Sequence, residues 1–137
     1  MTKVITKKVR FENIDLSHDG FYRVRVLIPR SDRGTLERIR EAVGATISEA
    51  ARTVWRHDRA QAPQIPLKEY DADYMCLDAA SDARPGIIDA DLQILQPEQL
   101  RNGCQGFASL SFFPYDAGGG KGIGAGVNNM QITEGIA

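Results

Sequence analysis

The sequence predicts a mainly β fold with one amphipathic helix, a small Greek-key barrel forming a single domain over residues 1–137. Three observations point there. Residues 21–29 alternate with period two: Tyr22, Val24, Val26 and Ile28 on one face, Phe21, Arg23, Arg25 and Leu27 on the other. Leu36, Ile39, Val43, Ile47, Ala50 and Val54 recur at spacings of three and four, which a helix of about five turns gathers into one stripe. Clusters of Gly, Pro and Asp cut the remainder into short segments, too short for further long helices.

In order, residues 7–14 read as a first strand and Asp15 to Gly20 as a polar turn. Pro29 ends the second strand. Asp32 is the expected N-cap, its carboxylate accepting from the free amides of the first helical turn, and Gly44 weakens the helix slightly. Ala62 to Leu67, with Pro63 and Pro66, is an extended connector, and Glu69 to Asp73 an acidic loop. Tyr74–Ala79 and Ile87–Asp89 are strands, separated by a turn at Ser81–Gly86, and Gln96–Leu100 is one helical turn. Residues 101–132 form a closing hairpin: an aromatic strand, a glycine turn and a small-residue return strand. A barrel of the OB type, with one helix between strands, fits this count.

Composition is ordinary for a globular domain, with 42% hydrophobic and 26% charged residues. No apolar run reaches the ~18 residues of a membrane-spanning helix, and the start, Met1 to Lys8, lacks the apolar core of a signal peptide. Cys76 and Cys104 are expected to be reduced and buried in a cytosolic protein. The net charge of −1 hides a division: residues 1–59 carry 13 Lys+Arg against 8 Asp+Glu, and residues 60–137 carry 4 against 10. A chain split this way can hold a polyanion on one face.

The hairpin carries the strongest sign of a ligand class. Cys104, Gly106, Ala108, Leu110 and Phe112 form the expected core face, and Gln105, Phe107, Ser109, Ser111 and Phe113 an outward strip. Phe107, Phe113 and Tyr115 offer flat faces for bases. Lys121, next to Gly118-Gly119-Gly120, is expected on a mobile loop where it can reach phosphates. Phe21, Arg23 and Arg25 share the outward face of their strand, where guanidinium groups can bind phosphate or stack. Lys7 and Arg10, with Lys3 and Lys8, make a basic start that can steer a polyanion. Trp55 is expected in the core. The loop at residues 115–122 fails the P-loop pattern, since Tyr115 and Gly122 occupy its first-glycine and hydroxyl positions. His18 and His57 have no Cys or His partner at metal spacing, so neither a zinc site nor another cofactor is expected.

Several short pieces, in this order and spacing, resemble a known family. They are Leu27-Ile28-Pro29-Arg30-Ser31-Asp32, Ile65-Pro66-Leu67-Lys68, Arg84-Pro85-Gly86-Ile87-Ile88-Asp89, Asn102-Gly103-Cys104, Gly120-Lys121-Gly122-Ile123 and Val127-Asn128-Asn129-Met130-Gln131. Together they resemble phage-encoded single-stranded DNA-binding proteins, a tailed-phage family long filed as a domain of unknown function, across nearly the whole chain. The resemblance implies an OB-fold that binds single-stranded DNA without sequence preference during phage replication or recombination. It implies no enzyme, no cofactor and no membrane, and a place in the cytoplasm of the infected bacterium. Phage replication or recombination proteins are implied partners, and a homo-oligomer is left open. Two departures stand out. The family has a glycine in its acidic turn, and Glu69 to Asp73 has none. The family tends to end in an acidic tail, and this sequence stops at Glu134-Gly135-Ile136-Ala137, so tail-mediated partner binding is not carried over.

Two other classes remain open from the residues. Asp71, Asp73, Asp89 and Asp91, if clustered, would suit two Mg²⁺ ions and phosphodiester hydrolysis, although no lysine stands at Glu-x-Lys spacing. The alternative to both is a protein-binding or virion-assembly module.

Overall fold

The computed structural model describes residues 2–55, 62–117 and 120–137. Among them the elements run β1 (Thr2–Ile5), β2 (Val9–Asp15), β3 (Tyr22–Pro29), α1 (Arg33–Arg52), β4 (Leu67–Glu69), β5 (Tyr74–Ser81), β6 (Gly86–Asp89), a 3-10 turn (Pro97–Gln99), β7 (Leu100–Ala117) and β8 (Gly120–Ile136). The protein is mainly β with one helix among the described residues, as expected. β1 and β4 were not foreseen: each is too short to show a period, and each exists by pairing with a longer strand.

The strands form one sheet in the order β4-β5-β3-β2-β7-β8-β6, with β1 also on β7. Every pairing is antiparallel except β6 with β8. β7 organises the sheet: it pairs β8 along its length, β2 at Gln105 and Gly106, and β1 from Ser109 to Phe112. The sheet curls without closing its ladder. A Cβ at Gly126 of β8 would lie 3.0 Å from Ser81 Oγ of β5, so these strands pack side by side with no β-pairing between them.

The period-two faces hold except at Leu27, which shares the outward face of β3 with Arg23 and Arg25 yet is buried at 3% exposure. Tyr22, Val24, Val26 and Ile28 are buried, as are Cys104, Ala108, Leu110 and Phe112, and they enclose Phe11 and Leu77. Gly106 is required by close approach: a Cβ there would lie 1.8 Å from Gln131 O. One expectation fails on this strand. Ser111 is buried, because β8 carries an extra residue, Asn128, between the partners of Ser109 and Leu110, and the Asn128 amide donates to Ser111 Oγ at 2.6 Å.

The helix begins as its residues dictate, with Asp32 Oδ1 accepting from Thr35 N–H at 3.1 Å. Leu36, Ile39, Val43 and Ala50 face the core. Val54 does not: α1 stops at Arg52, and Val54 is exposed. Trp55 swings back into the core, its N–H donating to Ala50 O at 2.8 Å. Both cysteines are free and buried. Burial pushes the Cys104 thiol up to about 11 and raises that of Cys76. No helix among the described residues is long and apolar enough to cross a membrane.

Candidate nucleic-acid interface

β3 begins just after the Gly20 turn, so Phe21 stands at the mouth of a groove of about 670 Å³. The groove is lined as well by the β5–β6 turn with Arg84 and by Phe113, Ser111, Gly126 and Asn128 of the hairpin. Phe21 is 52% exposed and Phe113 half-buried. Glycines of β8 face the aromatic side chains of β7. Phe113 pairs with Gly124, where a Cβ would lie 2.5 Å from the Phe113 ring. Tyr115 pairs with Gly122, where a Cβ would lie 2.5 Å from the phenol oxygen. Each ring thus lies over a glycine, as aromatic side chains do when they shield a strand glycine. The small-residue pattern of residues 122–126 is a set of aromatic seats.

Beside the groove, Arg23 and Arg25 point outward, as period two requires. The Arg23 guanidinium lies 4.9 Å from the Phe21 ring centroid. It also faces Asp15 Oδ2 at 3.6 Å. A hydrogen bond from His18 at 2.6 Å, with Arg23 adding, holds the Asp15 carboxyl below its usual range. Arg25 stands between Glu12 of β2 and Asp78 of β5 in register. It donates to both Asp78 oxygens, at 2.7 and 3.2 Å, which raises its own pKa, and lies 5.7 Å from the Tyr70 ring centroid. Arg84 is exposed and makes no ion pair among the described residues.

The other expected residues scatter. Lys7 is exposed at the β1–β2 turn, its N–H donating to Thr35 Oγ1 at 3.3 Å. Arg10 is exposed on β2 and bonded to Glu12 at 3.0 Å. Phe107 is 38% exposed opposite Gln131, outside the groove lining. Tyr115 is half-buried, its hydroxyl donating to Gln64 Oε1 at 3.2 Å.

Lys121 requires a correction. It was expected as a mobile cation at a loop tip, but it is a β8 residue opposite Asp116 and only 6% exposed. Its ammonium lies 5.4 Å from the Trp55 ring centroid, and Trp55 Nε1 donates to Tyr115 O at 3.1 Å. Gln64 clamps the same strand, its N–H donating to Lys121 O at 3.1 Å and its carbonyl accepting from Ile123 N–H at 2.9 Å. The hairpin is pinned here by the segment after the helix. Gly118 and Gly119, and likewise His57, lie outside the described residues.

The acidic residues do not assemble. Asp71 Oδ1 accepts from Asp73 and Tyr74 N–H, both at 2.8 Å, and so shapes the turn that lacks the family's glycine. Asp89 Oδ1 accepts from Asp91 N–H at 2.8 Å and Gln93 N–H at 2.9 Å on a different loop. Among the described residues, no three His, Cys, Asp or Glu side chains are placed to hold a metal ion.

A single-stranded DNA-binding family model, described by the protein of Enterobacter phage Enc34, matches residues 2–135. The chain belongs to this family. The fold agrees. The single-stranded DNA-binding protein of bacteriophage Enc34, in a C-terminally truncated form, superposes with a TM-score of 0.78 at 18% identity, over 96% of this chain and 84% of that one. The same Enc34 protein in complex with single-stranded DNA gives 0.70 at 18% identity, over 95% and 85%. Gp2.5, the single-stranded DNA-binding protein encoded by bacteriophage T7, gives 0.77 at 12% identity, over 99% and 87%. No curated protein sequence matches the chain. Arg84 and Asn128 line the groove, and Tyr70 lies beside Arg25, without having been singled out from the sequence. Arg84 stands in Arg84-Pro85-Gly86, which the sequence marks as a turn and as part of the family resemblance but not as a binding residue.

Proposed function

We propose that this protein binds single-stranded DNA without sequence preference and protects it during phage replication or recombination. The observation that carries the reading is the groove in which Phe21 and Phe113 stand beside Arg84, next to the Arg23 and Arg25 face. Bases stack on the rings, which accept any base because every base has a π face. Arg84, Arg23 and Arg25 hold phosphates, and Tyr70 extends the track. Lys7, Arg10 and Phe107 lie outside the groove and meet the strand only on its approach. Lys121 is not carried forward as a phosphate ligand, since its ammonium is buried beside Trp55. The protein acts by binding, with no chemical step, in the cytoplasm of the infected bacterium and alongside phage replication or recombination proteins.

Fluorescence anisotropy with labelled oligo-dT, mixed-sequence single strands and duplex tests this. Single strands of any sequence should bind far more tightly than duplex. The log–log salt slope should be about −0.7 per phosphate contact. Equal affinity for duplex and single strand would remove the stacking argument. Cleavage on adding Mg²⁺ would restore the nuclease reading.

A further inference from the structure

Two features take no part in the interface above, and they complement each other. The first is a knob after β6, the turn Asp89-Ala90-Asp91-Leu92-Gln93-Ile94, which returns to bridge Ile88 with Ile94. It is held from inside: besides its side-chain bonds, Asp89 N–H donates to Gln93 O at 2.9 Å and Leu92 N–H to Asp89 O at 3.1 Å. This rigid turn presents Leu92 and Ile94 to solvent at 69% and 79% exposure. Leu92 has φ of 64°, a left-handed conformation that glycine or asparagine would adopt at less cost. Folding gives no reason for a leucine there.

The second is an apolar groove of about 300 Å³ between α1 and the β4–β5 edge. Ile39, Val43 and Ile47 form one wall, and Ile65, Leu67 and Met75 the other. Gly44 leaves it open, with no atom within 4 Å of a Cβ built there. Arg40 stands on its rim, and an adjoining cleft adds Arg30 and Arg33 beside Glu37.

We propose that the knob of one copy of this chain seats in the groove of the next copy along a DNA strand. The groove is roughly twice the ~150 Å³ of a cavity that takes up benzene, so it has room for both aliphatic side chains. Asp89 and Asp91 flank the knob, and Arg40 and Arg33 border the groove. The chain-wide charge division, basic before residue 60 and acidic after it, thereby finds a partner in its own copy. The knob follows β6 and the groove adjoins β4, the two ends of the strand order, so the contact joins different patches and propagates head to tail. It is small, hence weak between free molecules. Two copies on one strand meet at high effective concentration, where it becomes binding cooperativity.

The test uses the full chain with oligo-dT long enough for one copy, for two, and for many; its cooperative readout rests on DNA binding. Wild type should bind the many-site strand with a steeper isotherm and at least about tenfold higher affinity per site than the one-site strand. Ile94→Glu, on the knob, and Gly44→Leu, which fills the groove, should bind the one-site strand as wild type does and lose the gain on longer strands. Each variant retains one intact half of the contact, so an equimolar mixture should regain pairwise cooperativity on the two-site strand. Arg40→Glu with Asp91→Arg in one chain should recover what either loses separately. Loss of one-site binding in wild type would sink the functional reading itself. Normal one-site binding overturns the inference if wild type shows no gain on longer strands, or if Ile94→Glu and Gly44→Leu keep that gain.

Discussion

The arginine face of β3 and the aromatic groove beside it look alike in sequence and differ in structure. On β3, Arg23 and Arg25 already hold carboxylates, Asp15 and Asp78. In the groove, Arg84 makes no ion pair among the described residues, and the exposed Phe21 and half-buried Phe113 line the same groove. A phosphate approaching Arg25 must displace or share Asp78. A base entering the groove meets no ion pair at Arg84, although on Phe21 it shares the ring with the Arg23 guanidinium. Exposure of a cation is therefore a poor guide to its use: what matters is whether another strand has already neutralised it.

The largest expected effect tests the groove. Phe113→Ala and Phe21→Ala should each weaken oligo-dT binding roughly 5- to 150-fold, the worth of one stacked base, with the salt slope nearly unchanged. Gly124→Val keeps the ring but removes its seat, and anisotropy should show a comparable loss. Thermal melting of each variant guards against misfolding. If Phe113→Ala binds like wild type while Arg25→Ala does not, the ranking of the two regions is reversed.

Next come the cations. Arg84→Ala should weaken binding roughly five- to tenfold and reduce the salt slope by about 0.7. Arg25→Ala should do less, because its charge is shared with Asp78. Asp78→Asn sharpens the comparison: by releasing Arg25 it should tighten binding up to about fivefold, most visibly at low salt. An affinity unchanged by Asp78→Asn would show that the ion pair does not compete with DNA.

The smallest effect lies outside both regions and serves as a control. Burial raises the Cys104 thiol to about 11 in the folded protein, above its unfolded value. Below the unfolded value both states keep the proton, and the stability contribution is fully present. As pH rises from about 9 toward 11 the unfolded chain loses the proton first, so the melting temperature should fall over that window. Cys104→Ala should flatten the fall. Iodoacetamide at pH 8 should label neither cysteine until the protein unfolds.

Much of the fold was legible because period and capping are local. The alternation of β3 and β7, the Asp32 cap and the α1 stripe each follow from residues within one element. Of the candidate interface, Phe21, Phe113, Arg23 and Arg25 are visible as outward residues of such strands. Arg84 is not, since nothing near it in sequence says which groove its turn will line. Lys121 misled for the converse reason: glycine neighbours suggest a free loop, whereas Gln64 and Trp55, more than sixty residues earlier or nearly so, take the strand in hand.

What the sequence determined by itself was which residues share a face, because a strand repeats every two residues and a helix every 3.6; Leu27, Ser111 and Lys121 show that an expected outward position does not by itself leave a residue exposed. What only the tertiary structure decided was what each outward residue meets. Asp78 reaches Arg25 through the β3–β5 register, Gly124 lies under Phe113 through the β7–β8 register, and Asn128 is turned to Ser111 by the extra residue in β8. Register is set by long-range pairing of whole strands, and a shift of one residue would have exchanged every one of these partners.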